Sequence, residues 1–442
     1  MKIRTFLIGS FLFLLVYFGE IAFSFSDKSS QEKSIPSNEK MPISYRLTNN
    51  LSAYESMQDF DKQVNEFMKT WNIVGATVAI VKDEKLIYTK GFGYADIENN
   101  KKVEPRHLFR IASVSKLITA VAIMKLIEEN KLSLTDAVFG ENGILNDTKY
   151  LNIKDKRVKY ITIEQLLNHT SGFTNRGGDP MFMNLYIAKK TNKDLPISNE
   201  SIIQYVLQNK KLDYNPGRKS VYSNFGYTVL GKVIEKVTNT SYESYVTTQI
   251  LNPIGIYDMH LGKSRLEDLY ENEVKYYGLK NERKTYSSIE PNKKVEKYYG
   301  GNSLESLEAA GAWVTSSAEL AKFLVYIDGH KKRSDILSSE SIQKMTNIKK
   351  GMRPYGWSGL DANNTWWRTG TLSGTSALVK RQNDGITWVF IMNTTPKYGA
   401  RFPKRINKAM ITGLNTIKKW PGYDLFEYKE SKPNQNKLFT FN

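Results

Sequence analysis

From Phe109 to Leu132 the chain reads FRIASVSKLITAVAIMKLIEENKL, and no other stretch constrains the fold as strongly. After one polar pair, Ser113 and Lys116, come Leu117, Ile118, Ala120, Val121, Ile123, Met124, Leu126 and Ile127. A helix that is apolar on nearly every side needs protein around its whole circumference. The pattern therefore predicts a buried central helix that returns to water at Glu128, Glu129 and Asn130. Ser113 and Lys116, three residues apart, share a face of it. An ammonium set against such an apolar helix loses hydration, which lowers its pKa and brings a neutral amine within reach near neutral pH. That amine, one turn from a hydroxyl, can take its proton and make the oxygen a nucleophile. An N-capping serine followed by a snorkelling lysine would fit the same residues. The S-x-x-K spacing also recurs at Ser30/Lys33, Ser37/Lys40 and Ser341/Lys344, but only the copy at Ser113 opens a long apolar helix.

Burying that helix takes a long chain, and 442 residues suffice for one large domain or two closely packed ones. The absence of cysteine removes thiol nucleophiles, disulfides and cysteine-zinc sites. The four histidines, His107, His169, His260 and His330, show no metal-ligand spacing, so neither a metal nor another cofactor is expected. A Ser-His-Asp triad has few histidines to draw on, and no G-x-S-x-G elbow is present. The net charge of +18 is scattered through Lys-rich loops with acidic neighbours. It forms no Arg-rich stripe or reader motif, so nucleic acid is not an expected partner. A solvated Lys-rich surface explains it, as does a loose attraction to an anionic envelope polymer or membrane surface.

Residues 1–26 have the basic start (Lys2, Arg4) and short apolar run of a signal peptide, or of an N-terminal anchor left uncut. Residues 27–52 read as a polar tether. The expected domain spans 53–420, with a helical subdomain at about 120–310, and residues 421–442 read as a polar tail. Within the domain, Tyr54 to Trp71 has helical spacing and Gly75 to Asp96 alternates as a hairpin. Ile161 to Phe173 predicts a short helix that stops at Ser171-Gly172, with His169 holding the helix end rather than doing chemistry. Tyr222-Ser-Asn224 precedes a second apolar helix. Gly226 to Lys232 mimics a phosphate loop, but it lies inside that helix and has Val233 where a Ser or Thr is required. Gly262 to Glu308 reads as a surface excursion edging a cleft. Ala309 to Ile327 gives a turn and a helix capped by Ser316 or Ser317. Three strand-like runs follow Gly356, the last two being Ser376 to Arg381 and Ile386 to Asn393, and Lys404 to Lys418 closes as an amphipathic helix. Early hairpin, central helix and late strands together predict an α+β fold, an α/β sandwich in which helices flank an antiparallel sheet.

Three motifs recur in order: Ser113-Val-Ser-Lys116, Tyr222-Ser-Asn224 and Arg368-Thr-Gly370. The set resembles the superfamily of serine β-lactamases and penicillin-binding D,D-peptidases, whose signature is S-x-x-K, then S-x-N or Y-x-N, then K-T-G or H-x-G. The Y-x-N form is similar to the branch of class C β-lactamases, D-alanyl-D-alanine carboxypeptidases, D-aminopeptidases and esterases. The resemblance implies the β-lactamase/transpeptidase-like fold and an enzyme, which the leader-like residues 1–26 predict to be exported, periplasmic or secreted. It would act through a Ser113 acyl-enzyme on a small D-amino-acid peptide, amide or ester, peptidoglycan fragments among them. A class C-like β-lactamase and a non-catalytic sensor of cell-wall fragments are the alternatives. The resemblance makes Lys116 the base and Tyr222 a proton shuttle of lowered pKa. Asn224 would hold Lys116 and a substrate amide. The strand carrying Arg368, Thr369, Gly370 and Thr371 would lie beside the substrate, with the Ser113 and Thr371 N–H groups as the oxyanion hole. Arg368 departs from the usual Lys or His. An arginine stays protonated, so it implies a clamp for a substrate carboxylate and no proton relay. Trp366 and Trp367 fit either the wall of an acyl pocket or sheet packing.

Overall fold

A computed structural model describes residues 41–347, 349 and 351–429. The leader at 1–26, the first part of the tether and the end of the tail lie outside the described residues. Among the described residues, no helix is long and apolar enough to cross a membrane.

The alternating run at 75–96 forms the hairpin β1 (Gly75–Lys82) and β2 (Lys85–Asp96), followed by the short β3 (Lys101–Lys102). The late strands are β4 (Gly359–Leu360), β5 (Trp366–Leu372), β6 (Thr375–Arg381) and β7 (Ile386–Met392). They join the hairpin in one sheet of order β3-β2-β1-β7-β6-β5-β4, with every pairing antiparallel. An early and a late strand thus meet in the middle of the sheet, where Val78 pairs with Phe390 and Ala79 with Val389.

Strand side chains alternate between faces, and each face has its own core. Val78, Ile80, Trp388 and Phe390 pack under α1 (Gln58–Trp71) and the last helix, Pro403–Leu414, through Phe60, Val64, Phe67, Ile406 and Met410. Ala79, Val81, Ala377, Val379 and Val389 face the larger core. That core surrounds α2 (Ser115–Glu128), in which every residue from Ser115 to Met124 is buried. The all-round apolar stretch is therefore the centre of the helical half, as its pattern demands. Its start differs from the sequence expectation. Phe109–Arg110 pairs as a short strand with Trp313–Thr315, and Ser113 sits in a 3-10 turn ahead of α2.

Two further helices position the site. α3 (Asn224–Thr238) is capped by the Ser223 hydroxyl, which accepts from the Gly226 N–H. α4 (Leu304–Gly311) packs against it so closely that a Cβ on Gly231 would meet the Ala309 Cβ at 2.7 Å. That glycine, half of the discarded phosphate-loop mimic, is there for helix packing. Ser316 caps α5 (Ser317–Val325) by accepting from the Glu319 N–H.

Three segments pack differently from the sequence expectation. The second half of the tether belongs to the domain: Ile43 and Leu47 are buried, Glu319 accepts from the Ile43 N–H at 3.0 Å, and the Asn49 side chain bonds the backbone of Gly91 and Val103. The start of the tail is likewise packed, with Leu425 and Phe426 buried and Asp424 accepting from the Leu86 N–H and Arg333. The 262–308 excursion is partly core. Val274 and Tyr276 are buried, and Glu273 lies 3.6 Å from Arg110 with both side chains almost wholly enclosed.

Candidate active site

The turn before α2 holds Ser113 at the floor of an open cleft of about 750 Å³. Ala112, just before it, takes φ 48. A left-handed residue with a β-carbon is strained, at a cost on the order of 1 kcal/mol or more. The strain swings the serine out of the helix line while Lys116, in the first turn of α2, remains beneath it. The Ser113 Oγ lies 2.6 Å from the Tyr222 hydroxyl and accepts from the Lys116 Nζ at 3.2 Å. The shared face that the spacing requires is therefore present.

Lys116 is fully buried, with oxygen acceptors around it and no carboxylate in contact. It donates to the Asn224 Oδ1 at 2.8 Å and to the Ala310 carbonyl. That carbonyl is free because α4 kinks at Glu308, which takes φ 31. Beyond the kink the Ala309 and Ala310 carbonyls turn towards α2, where Thr119 and Lys116 donate to them. Burial lowers the Lys116 pKa to about 8, with Tyr222 opposing and the Arg368 charge reinforcing the shift. Burial alone would raise Tyr222. The Lys116 and Arg368 charges, with hydrogen bonds from Lys116 and Ser113, outweigh it and hold the phenol below its ordinary range. Serine, amine and phenol thus form one hydrogen-bonded unit whose two bases titrate together.

His169 stands behind the phenol, its ring centroid 4.8 Å from Tyr222 and 5.0 Å from Tyr227. Its Nδ1 accepts from the Ser223 N–H at 3.2 Å. Burial, then the charges of Arg368, Lys116 and Arg353, push its pKa well below the ordinary value. It is a neutral wedge packed behind the Tyr222 ring.

Gly370 brings the sheet onto the nucleophile. A Cβ there would lie 2.1 Å from the Ile111 carbonyl oxygen and 3.0 Å from the Ser113 nitrogen. The backbones carrying the Ser113 and Thr371 N–H groups are therefore in direct contact. Thr369 is already engaged, its N–H donating to the Ser358 Oγ at 3.2 Å. β4 pairs with β5 only at Trp366 and Trp367, so beyond Thr369 the outer edge of β5 has no strand partner among the described residues. The tryptophans divide the roles offered to them. Trp366 is buried against Trp357 and under Arg381, and Trp367 lines the cleft.

Arg368 is placed differently from the open clamp that its sequence position suggests. Only 1% of it is exposed. Its Nε donates to the Ser113 carbonyl at 2.6 Å, and its Nη2 reaches the Tyr222 hydroxyl at 3.4 Å. It braces the nucleophile turn and holds positive charge beside the phenol. Two of its five N–H donors are engaged in this way, and the guanidinium lies almost wholly buried in the wall of the cleft.

Two residues of the cleft escaped the sequence reading. Asp179 caps a 3-10 turn, its Oδ1 accepting from the Met181 N–H, while its Oδ2 accepts from the Asn224 Nδ2 at 2.7 Å. The amide of Asn224 is thereby fixed with its oxygen towards Lys116. Arg353 stands over the Tyr222 ring, 5.9 Å from its centroid, in the loop before β4. A D-P-M turn signal marks Asp179, though nothing in it points to a cleft; Arg353 carries no local signal.

A mixed sheet-and-helix fold, with a serine, a lysine and a tyrosine converging from α2 and the turn before α3, defines the class. The family model described as Beta-lactamase matches residues 60–410, and the chain belongs to that family. Protein flp of Staphylococcus aureus (strain N315) is 27% identical over 372 residues, 83% of this chain and 68% of its own length. Among solved structures, the octameric penicillin-binding protein homologue from Pyrococcus abyssi is 27% identical with a TM-score of 0.61, over 82% of this chain and 78% of that one. The D-amino acid amidase from Ochrobactrum anthropi SV3 has a TM-score of 0.63 at 19% identity, over 83% of this chain and 99% of its own, a likeness of fold.

Proposed function

We propose that the protein is an exported serine hydrolase that acts through an acyl-enzyme on a D-amino-acid peptide, amide or ester. One observation carries the reading: the Ser113 Oγ lies within hydrogen-bond reach of both a phenol and an amine whose pKa values are lowered, in a cleft open to solvent. As the Oγ–carbon bond forms, the serine proton passes to the Lys116–Tyr222 pair and the carbonyl electrons move onto oxygen. The Ser113 and Thr371 N–H groups face that oxygen; such a donor contributes about 3 kcal/mol to the barrier. Collapse breaks the bond to the leaving group, which takes a proton from Tyr222. Water then attacks the acyl group with the same pair as base, and the acid departs from Ser113. The fold likeness to a D-amino acid amidase supports the substrate class, and the leader-like first 26 residues support export.

Incubation with a fluorophosphonate and with a labelled penicillin, read by intact mass, tests the nucleophile. One adduct is expected, and none in Ser113→Ala; an unchanged mass with both probes would end the hydrolase reading. A panel of D-Ala-D-Ala peptides, D-amino-acid amides, short-chain esters and a cephalosporin then ranks the substrates. Ester or D-peptide cleavage is expected to exceed cephalosporin turnover, and the reverse order would assign a β-lactamase.

A further inference from the structure

The segment 181–193 buries one face and leaves the other bare. Met181, Ile187 and Ala188 pack into the larger core, and the Asn184 side chain donates to the Ser306 hydroxyl at 2.9 Å. On the outward side Phe182, Leu185 and Tyr186 are 38%, 38% and 46% exposed. The helical spacing of these three continues through Lys189, Lys190 and Lys193, all exposed, and the helix Asn184–Thr191 carries most of the stripe. A helix on a protein surface ordinarily turns polar residues outward along its whole length. Here the outward stripe begins apolar and ends basic. Among the described residues, no other five-residue stretch exposes three large apolar side chains.

The charge of the stripe is uncompensated. Asp194 is the only acid between 182 and 194, and no carboxylate pairs with Lys189, Lys190 or Lys193 among the described residues. Lys190 lies instead 5.8 Å from the Tyr186 ring centroid. Tyr186 also meets Tyr205 edge-on, and the two rings line a groove of about 520 Å³ that carries Lys210 and Lys211. An anionic bilayer accommodates this order of groups. Its hydrocarbon takes phenylalanine and leucine, tyrosine sits at the level of the headgroups, and ammonium groups meet the phosphates. A second copy of the chain would set the same lysines against one another. We infer that the stripe from Phe182 to Lys193 is a docking surface for an anionic lipid bilayer. Phe182 also lines the cleft that holds Ser113, so a docked molecule keeps that cleft beside the headgroups. The docking surface stands independently of the hydrolase reading.

The chain contains no cysteine, so a single introduced one reports on the stripe alone. The full chain carrying Leu185→Cys, labelled with an environment-sensitive dye, is mixed with vesicles of phosphatidylglycerol and, separately, of phosphatidylcholine. The emission is expected to move to the blue with the first and to be quenched when those lipids carry bromine in their acyl chains. It is expected to stay unchanged with the second. Salt at about 0.5 M should remove most of the shift, because it screens the lysines from the phosphates. Lys189→Glu with Lys190→Glu in the labelled chain should do the same. The control is Ile411→Cys, an apolar position 37% exposed on the last helix, which packs on the other face of the sheet. Its dye is expected to stay unchanged with either vesicle. Each dye reads its own surroundings, so insertion of the leader-like residues 1–26 into the vesicles does not mimic docking. An unchanged dye at 185 overturns the assignment, as does an equal change at 411 or a shift that survives both lysine substitutions. A shift that needs no vesicles and grows with protein concentration would also overturn it, giving the stripe to a second copy.

Discussion

Two lysines sit on facing helices, Lys116 wholly buried and Lys232 largely so, yet they have opposite characters. Lys116 on α2 is surrounded by a hydroxyl, an amide oxygen and a carbonyl, and burial brings its pKa down to about 8. Lys232 on α3 is ringed by Glu235 at 2.8 Å, Glu200 at 3.1 Å and Glu308 at 3.6 Å. Burial lowers its pKa too, but the three carboxylates outweigh that and raise it. Desolvation alone therefore does not make a base; the absence of a compensating carboxylate does. The two lysines are also connected. Glu308, held by Lys232 and by the Asn199 side chain at 3.1 Å, is the residue at which α4 kinks to present the Ala310 carbonyl to Lys116.

The comparison breaks most visibly at Lys116. Lys116→Met is expected to slow acylation of Ser113 by roughly 10³-fold or more, the range of a lost general base, measured by stopped-flow acylation with a chromogenic ester. In the unsubstituted protein the Lys116–Tyr222 pair takes the serine proton only once the amine is neutral. Acylation should therefore be slow below the Lys116 pKa, rise as pH passes through about 8, and level off above it. A flat profile from pH 6 to 9 would rule out this amine as the titrating base. Next in size, Tyr222→Phe is expected to cost about 10²-fold in the same assay, more for amides than for activated esters, because good leaving groups need no proton. Asp179→Asn should cost about tenfold by loosening Asn224. Because the Asp179 charge helps hold the proton on Lys116, its removal should also move the pH limb downward; an upward move would contradict that. The smallest effect on rate is expected from Lys232→Met, a few-fold, with about 1–2 kcal/mol of stability lost in chemical denaturation as three carboxylates lose their cation. A rate loss as large as that of Lys116→Met would show that Lys232 takes part in the chemistry itself.

What the sequence revealed and what it hid divide along a physical line. The central helix, the hairpin and the late strands were legible because burial imposes a period over many residues, as in the run from Leu117 to Leu126. Ser113, Lys116, Tyr222 and Asn224 were legible because their motifs sit at the starts of such elements. Ile43 and Leu47 were not, since one apolar pair in a single helical turn is too short to stand out from a polar segment. Asp179 and Arg353 were hidden for another reason. Each lies on a loop with no period, and only the folded chain shows that one holds Asn224 and the other overhangs Tyr222. Arg368 was found, but its rotamer was not readable from its neighbours, and burial turns it onto the Ser113 carbonyl.

The contact at Gly370 welds the sheet to the reactive turn. With the Ile111 carbonyl so near its α-carbon, no amino acid bearing a side chain fits without pushing strand and turn apart. The proposed oxyanion site is therefore a seam where the strand meets the turn, and its two donors are gauged against each other by the width of a single hydrogen atom. Substitutions can reshape the walls of the cleft, but at that one position only a residue without a side chain fits.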